Sequence, residues 1–173
     1  MTEPSAAHTT RKSTFTVLDD TLLKCLDGRL DSTADLRDKL GFTVSLQTCA
    51  EDGWPIPSLL GPGEVLATSP DCLMLALWPA SRAHHALLRD PRATLTLVYA
   101  ARFYQLHVHA ERTATADGVC LHQTRLVRGE GQHVPYATLI SGIHYTLDDP
   151  DTTLAAWRRQ IDAWSRMAAA PSV

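Results

Sequence analysis

The chain has 173 residues with 45% hydrophobic and 20% charged content, which favours one soluble-type domain with a sizeable core. Its formal net charge is −3, with a pI near 6.2. That balance gives no general attraction to nucleic acid or to an anionic membrane, so neither is expected as a partner and any anion site must be local.

Residues 1–12 are rich in Ser, Thr, Ala and charge and read as a mobile tail, leaving 13–173 as a single domain. Val17 to Asp27 reads as a helix, with Leu18, Leu22, Leu23 and Leu26 on one side and Gly28 as its C′ residue. Ser32 opens a second short helix that Gly41 ends. Phe42 to Cys49 alternates as a strand, Glu51-Asp52-Gly53 is a hairpin turn, and Ile56 to Leu60 returns. Pro55 and Pro57 lack an N–H, so this strand is either a plain edge or one that offers backbone groups to a ligand. Gly61-Pro62-Gly63 is a turn, and Glu64 to Pro70 leads into Cys72 to Leu77. That run is apolar on both faces and should be a central strand.

Ser81 then caps a short basic helix that Asp90-Pro91 stops. Ala93 to Tyr99 and Phe103 to Thr113 pair through Ala100-Ala101-Arg102. Val119 to Val127 reads as a strand and Gly129-Glu130-Gly131 as a turn, while Thr138 to Leu147 mixes helix-like and strand-like signals. Asp151 caps a final helix whose stripe of Leu154, Trp157, Ile161 and Trp164 docks on a core or a second subunit. The whole predicts one antiparallel barrel over Phe42 to Val127, with the Ser81 helix inserted between two of its strands.

Ser81-Arg82 is the most suggestive chemistry. Free N–H groups and the positive end of a helix face an anion there, and a guanidinium adds a forked bond. The plain alternative is a capping serine beside a solvated arginine. His107 and His109 share a strand face but find no Cys or acidic partner at ligand spacing, so no metal is expected. Gly-x-Ser-x-Gly, Walker and dinucleotide glycine motifs are absent. Cys25, Cys49, Cys72 and Cys120 have neither zinc-ribbon nor redox-pair spacing, and Cys25 and Cys72 read as small core residues. The polar start and the lack of a run of ~20 apolar residues suggest a cytoplasmic protein with reduced thiols.

Three segments together carry a family resemblance: Leu75-Ala76-Leu77-Trp78-Pro79-Ala80-Ser81-Arg82, Leu87-Leu88-Arg89-Asp90-Pro91-Arg92-Ala93-Thr94-Leu95, and Phe103-Tyr104-Gln105-Leu106. In order and spacing they resemble the middle of the FMN-binding split-barrel proteins, nearest the pyridoxamine 5′-phosphate oxidase-like group. The likeness covers Phe42 to Thr113 and continues weakly through Pro135-Tyr136-Ala137, Ser141-Gly142-Ile143 and the last helix. It implies a mainly β fold with α (α+β), a split β-barrel with flanking helices. It also implies a homodimer that binds FMN between its subunits and acts as an oxidoreductase on a small-molecule substrate. The resemblance places the FMN phosphate on Ser81, Arg82 and Ala83. It lays the flavin ring along Pro57, Ser58 and Leu59 near Leu77 and Trp78, with Gln105 reaching the cofactor from the next hairpin.

The chain also departs from the family. Where relatives add a basic residue or Thr after the Arg, Ala83 stands. Where true pyridoxamine-phosphate oxidases carry an Arg and a Lys around the second strand, Ile56 and Gly61 stand, and their C-terminal Trp and Arg have no match. The resemblance therefore implies the cofactor rather than that substrate. No catalytic acid or base is singled out, with His109 and His133 the titratable candidates. Other branches would imply a deazaflavin, a haem held by His107, His109, His133 or His144, or a non-catalytic flavin-binding dimer.

Overall fold

The apolar run Cys72–Leu77 is a strand with a core on each side. Leu73, Leu75 and Leu77 face the larger core, and Met74 and Ala76 face a second one. A computed structural model describes residues 11–27 and 33–169. Its elements are β1 (Arg11–Phe15), α1 (Asp20–Leu26), α2 (Thr33–Asp38), β2 (Val44–Cys49), β3 (Pro55–Leu60), β4 (Val65–Ser69), β5 (Cys72–Leu77), α3 (Arg82–Arg89), β6 (Arg92–Tyr99), β7 (Arg102–Ala116), β8 (Val119–His133) and α4 (Pro150–Ala169).

The eight strands form one antiparallel sheet in the order β3-β2-β6-β7-β8-β5-β4, with β1 paired to the far end of β8. β3 and β4 are the edges of this path, yet a short corner at Gly61-Pro62-Gly63-Glu64 joins them. The sheet must curl until its edges meet there. Leu60 and Val65, on either side of the corner, face the same core as Leu46, Leu95, Leu106 and Leu126. The fold is therefore a mainly antiparallel β-barrel, split between β3 and β4, with flanking helices. Period-2 alternation along β2, β6 and the first half of β7 puts one side chain in two into that core. The second core lies outside the barrel, where α4 seats Leu154, Trp157, Ile161 and Trp164 against β4, β5 and the start of β8.

Several expectations are corrected. Arg11 and Lys12, expected in the tail, begin β1; the rest of that segment lies outside the described residues, as do Gly28 and Ser32. The first helix starts at Asp20, because Asp19 Oδ1 accepts the N–H of Leu22 at 2.9 Å. Val65–Ser69 is a strand, paired with β5 across a tight turn at Pro70-Asp71. Gly129-Glu130-Gly131 is no turn: β8 runs through it to pair with both β7 and β1. Gly129 is there because the ring of Phe15 lies on it, 2.0 Å from where a Cβ would stand. The turn between β7 and β8 is instead Asp117-Gly118, both with positive φ. Asp149, not Asp151, caps α4, accepting the Thr152 N–H at 3.1 Å, while Asp151 pairs with Arg37 of α2. Residues 134–149 form neither helix nor strand.

Candidate functional site

Helix α3 closes one end of the barrel, packed over β2 and β3. Its amphipathic pattern decides what it offers to solvent. Ala83 and Leu87 enter the main core, and His84 and Ala86 are also buried. Arg82, His85 and Arg89 fall on the opposite side, at positions i, i+3 and i+7. The three line an open pocket of about 470 Å³, completed by Ala50, Glu51 and Asp52 of the β2–β3 hairpin and by Ile56 of β3.

A tight turn sets the start of α3, the Ser81 N–H donating to the Trp78 carbonyl at 2.9 Å. Ser81 Oγ accepts the His84 N–H at 3.2 Å as an N-cap. That use of the oxygen leaves the hydroxyl hydrogen free to donate. The N–H groups of Arg82 and Ala83 remain the helix's open donors. Arg82 makes no hydrogen bond or ion pair among the described residues. Arg89 is held: its Nη2 donates to the Cys49 carbonyl at 2.6 Å and its Nη1 lies 3.5 Å from Glu51. The hairpin acids thus oppose Arg89, while Arg82 at the other end keeps its donors available.

Beneath this pocket lies a buried histidine pair. His84 Nδ1 and His122 Nε2 are 2.9 Å apart, and His122 Nδ1 is 3.1 Å from the Thr113 hydroxyl. His122 is 0% exposed and His84 8%. Burial, and then the neighbouring His84, push His122 down to about 4. Burial, and then His85, also lower His84.

The expected site residues are distributed as follows. Ser81, Arg82 and the backbone of Ala83 come together at the head of α3. Ala83's side chain points into the core, so the second basic group of this pocket comes from His85, one helical turn on from Arg82. Leu77 is a core residue, while Trp78 just beyond it stands 62% exposed. On β3, Ser58 faces inward opposite Leu46, whereas Pro57 and Leu59 face outward. Gln105 also faces outward, in the ladder between Thr96 and Glu130, and does not line the Arg82 pocket. Beside it on the outer sheet face is a larger hollow of about 550 Å³ lined by Gln47, Arg92, Thr94, His107 and His109. His107 Nδ1 there is 3.1 Å from the Thr94 hydroxyl. Among the described residues no group of three or more His, Cys, Asp or Glu side chains is placed to hold a metal, and no helix is long and apolar enough to cross a membrane.

Sequence reasoning missed His85, Arg89 and the pair His84–His122. The first two were legible, since a helix read from Ser81 puts Arg82, His85 and Arg89 on one side. The pair was not, because His122 lies 38 residues away and only strand register brings it under α3.

No model of a known protein family matches the chain. An uncharacterised protein of Bacillus subtilis, YclD, is 26% identical over 153 residues, spanning 86% of this chain and 96% of its own length. Among solved structures, a nitrilotriacetate monooxygenase component B homologue from Mycobacterium thermoresistibile superposes with TM-score 0.49 at 11% identity, over 64% of this chain and 81% of that one. An FMN-binding protein from Syntrophomonas wolfei superposes with TM-score 0.45 at 10% identity, over 64% of this chain and 88% of that one. These likenesses assign neither a cofactor nor a residue role to this chain.

Proposed function

We propose that this protein is an FMN-binding flavoprotein, acting as an oxidoreductase on a small organic molecule. The observation that carries the reading is Arg82, a guanidinium without a partner among the described residues, at the head of α3 in the pocket shared with His85. A phosphate monoester fits that chemistry: a forked cation, open helix N–H groups, a serine hydroxyl and a second potential cation. The resemblance of the Ser81-Arg82-Ala83 segment to flavin phosphate sites supports the same choice. Pro57 and Leu59, exposed on edge strand β3, and the exposed Trp78 offer apolar surface for the flavin ring. The bound flavin would supply hydride or electron transfer, and the protein binding and orientation.

The reading includes a homodimer. Leu59, Trp78 and Val127 are large apolar side chains left exposed in a single copy, and an isologous pair is the commonest way to cover such surface.

The test is the absorption spectrum of the purified protein, followed by the mass of any released chromophore and a titration with FMN. A flavin spectrum with the mass of FMN, or tight binding of added FMN, is expected. Protein that is colourless and binds no added FMN overturns the reading. A Soret band lost on substituting one histidine would replace it with haem binding.

A further inference from the structure

The buried pair His84–His122 has a geometry that only certain protonation states satisfy. With both rings neutral, two arrangements work. Thr113 can donate to His122 Nδ1 while His122 Nε2–H donates to His84 Nδ1. Alternatively, His84 Nδ1–H donates to His122 Nε2 while His122 Nδ1–H donates to Thr113. One added proton still leaves a donor facing an acceptor, but it puts a charge in the barrel interior. A second proton sets N–H against N–H across 2.9 Å, and the contact cannot survive.

No neighbour relieves that charge. On α3 the next ionisable group is His85, with its ring 5.2 Å from that of His84, and the head of the same helix carries Arg82. On β8 the next inward residue is Cys120. Opposite His122, β5 presents Leu75 and β7 presents Thr113. No carboxylate contacts either ring among the described residues. A protonated pair would therefore meet apolar surface, the Thr113 hydroxyl and the cationic Arg82 of its own helix, with no carboxylate against it among the described residues.

We propose that His122 is a positioning residue for the α3 pocket, and that its bond to His84 is an acid-sensitive latch on the first turn of that helix. While the pair is neutral, His84 is pinned to β8, and Arg82 and His85 on the same turn are held at the pocket. When acid charges both rings, His84 is driven out and the turn that carries Arg82 loosens, although the barrel remains folded. Because the pocket is the one read above as a phosphate site, the functional consequence rests on that reading: the phosphorylated ligand would be released on acidification.

The test separates the two claims. Amide hydrogen exchange is expressed as protection factors for α3, with Leu95 and Leu106 of the barrel as internal references. From about pH 7 to about pH 3.5, below the value of about 4 at which His122 charges, wild-type α3 should lose protection about tenfold more than the references. His122→Asn and His84→Gln should lose this pH response. Overturning results are an α3 that keeps its protection at the lower pH, or an equal pH response in both variants. Imidazole nitrogen spectra of the wild type serve if a variant does not fold: one shared proton at neutral pH supports the latch, and two rings without mutual coupling refute it. In a parallel titration, FMN affinity should fall with acid more steeply in wild type than in His122→Asn, where protonation of the FMN phosphate itself still weakens binding. If FMN binds at neither pH while the exchange response is present, the latch stands and the flavin reading falls.

Discussion

A Cβ built on Gly63 would lie 2.1 Å from the Cβ of Trp157 and 2.0 Å from its Cγ. The indole of α4 therefore rests on bare backbone at the corner where the barrel is split. Gly61, at the other side of Pro62, is approached by the same ring at 2.5 Å. Next to Gly63, Glu64 reaches back to accept the Gly61 N–H at 2.7 Å, and burial pushes its carboxyl up. The corner is shaped for the docking of α4, and through α4 the second core is attached to the barrel.

Gly63→Ala should accordingly destabilise the protein by about 1–3 kcal/mol, the usual cost of overpacking a filled site. Trp157 offers the far side of the contact little freedom, since it is itself buried. Urea unfolding followed by tryptophan fluorescence checks this. An unchanged midpoint would show that α4 docks without using the corner.

Arg82→Ala should weaken FMN binding by about 1.5–3 kcal/mol, the worth of a hydrogen bond to a charged group. Its thermal midpoint should match that of wild type, because Arg82 is exposed and makes no internal bond among the described residues. Flavin fluorescence titration gives the first number and a melting curve the second. Equal FMN affinity in the variant and wild type would remove Arg82 from the site.

The β6–β7 hairpin turns through Ala100 and Ala101, both with positive φ, at 48° and 59°. A two-residue turn of this hand favours Asn-Gly, because a Cβ is strained in the left-handed region. Replacing the pair by Asn-Gly should raise stability by about 1 kcal/mol and the melting temperature by about 2–4 °C. A lower melting temperature would mean that the methyl groups themselves do something at this surface.

Lys39 caps a helix from outside it. Its ammonium donates to the carbonyls of Lys24, Cys25 and Asp27 at 2.9, 3.0 and 2.8 Å, closing the C-terminus of α1. Lys39→Met should cost about 2–3 kcal/mol. It should also speed amide exchange in α1 ahead of the barrel. The Cys25 thiol, pushed up to about 12 mainly by burial, should stay unreactive to alkylating reagents in wild type and become accessible in the variant.

Stability should fall in mild acid, and the sign follows from His122. Its value in the folded protein is about 4, against about 6.5 for an ordinary histidine. Between those values the unfolded chain binds more protons. The contribution of His122 is therefore complete above about pH 6.5 and declines as pH falls towards about 4, by up to about 3 kcal/mol. Asp90, held down to about 2 by hydrogen bonds from Arg92, acts only below the ordinary carboxylate range, so the two windows separate. Denaturant midpoints at about pH 7 and pH 5 should differ in wild type and converge in His122→Asn.

Local pattern determined much of this protein. The alternation of Val44, Leu46 and Thr48, the doubly apolar Cys72–Leu77, the Ser81 cap and the stripe of α4 each depend on residues within a few positions of one another. Their structures follow from strand or helix period alone. The same locality made Arg82 visible as an anion donor and would have shown His85 and Arg89 beside it. Tertiary structure decided the rest. Gly129 looks like a turn residue, and Gly63 like nothing more than one, until Phe15 and Trp157 arrive from the far ends of the chain to occupy the space of their missing side chains. Ser58 and Leu59 are neighbours in sequence, yet the pleat and curl of the sheet send one to the core side and the other to the open face. His84 and His122 have no signature of their own; the Leu75–His122 register and the seat of α3 put their ring nitrogens 2.9 Å apart. Such meetings depend on the summed path of the sheet, because a one-residue slip would turn His122 out of the barrel.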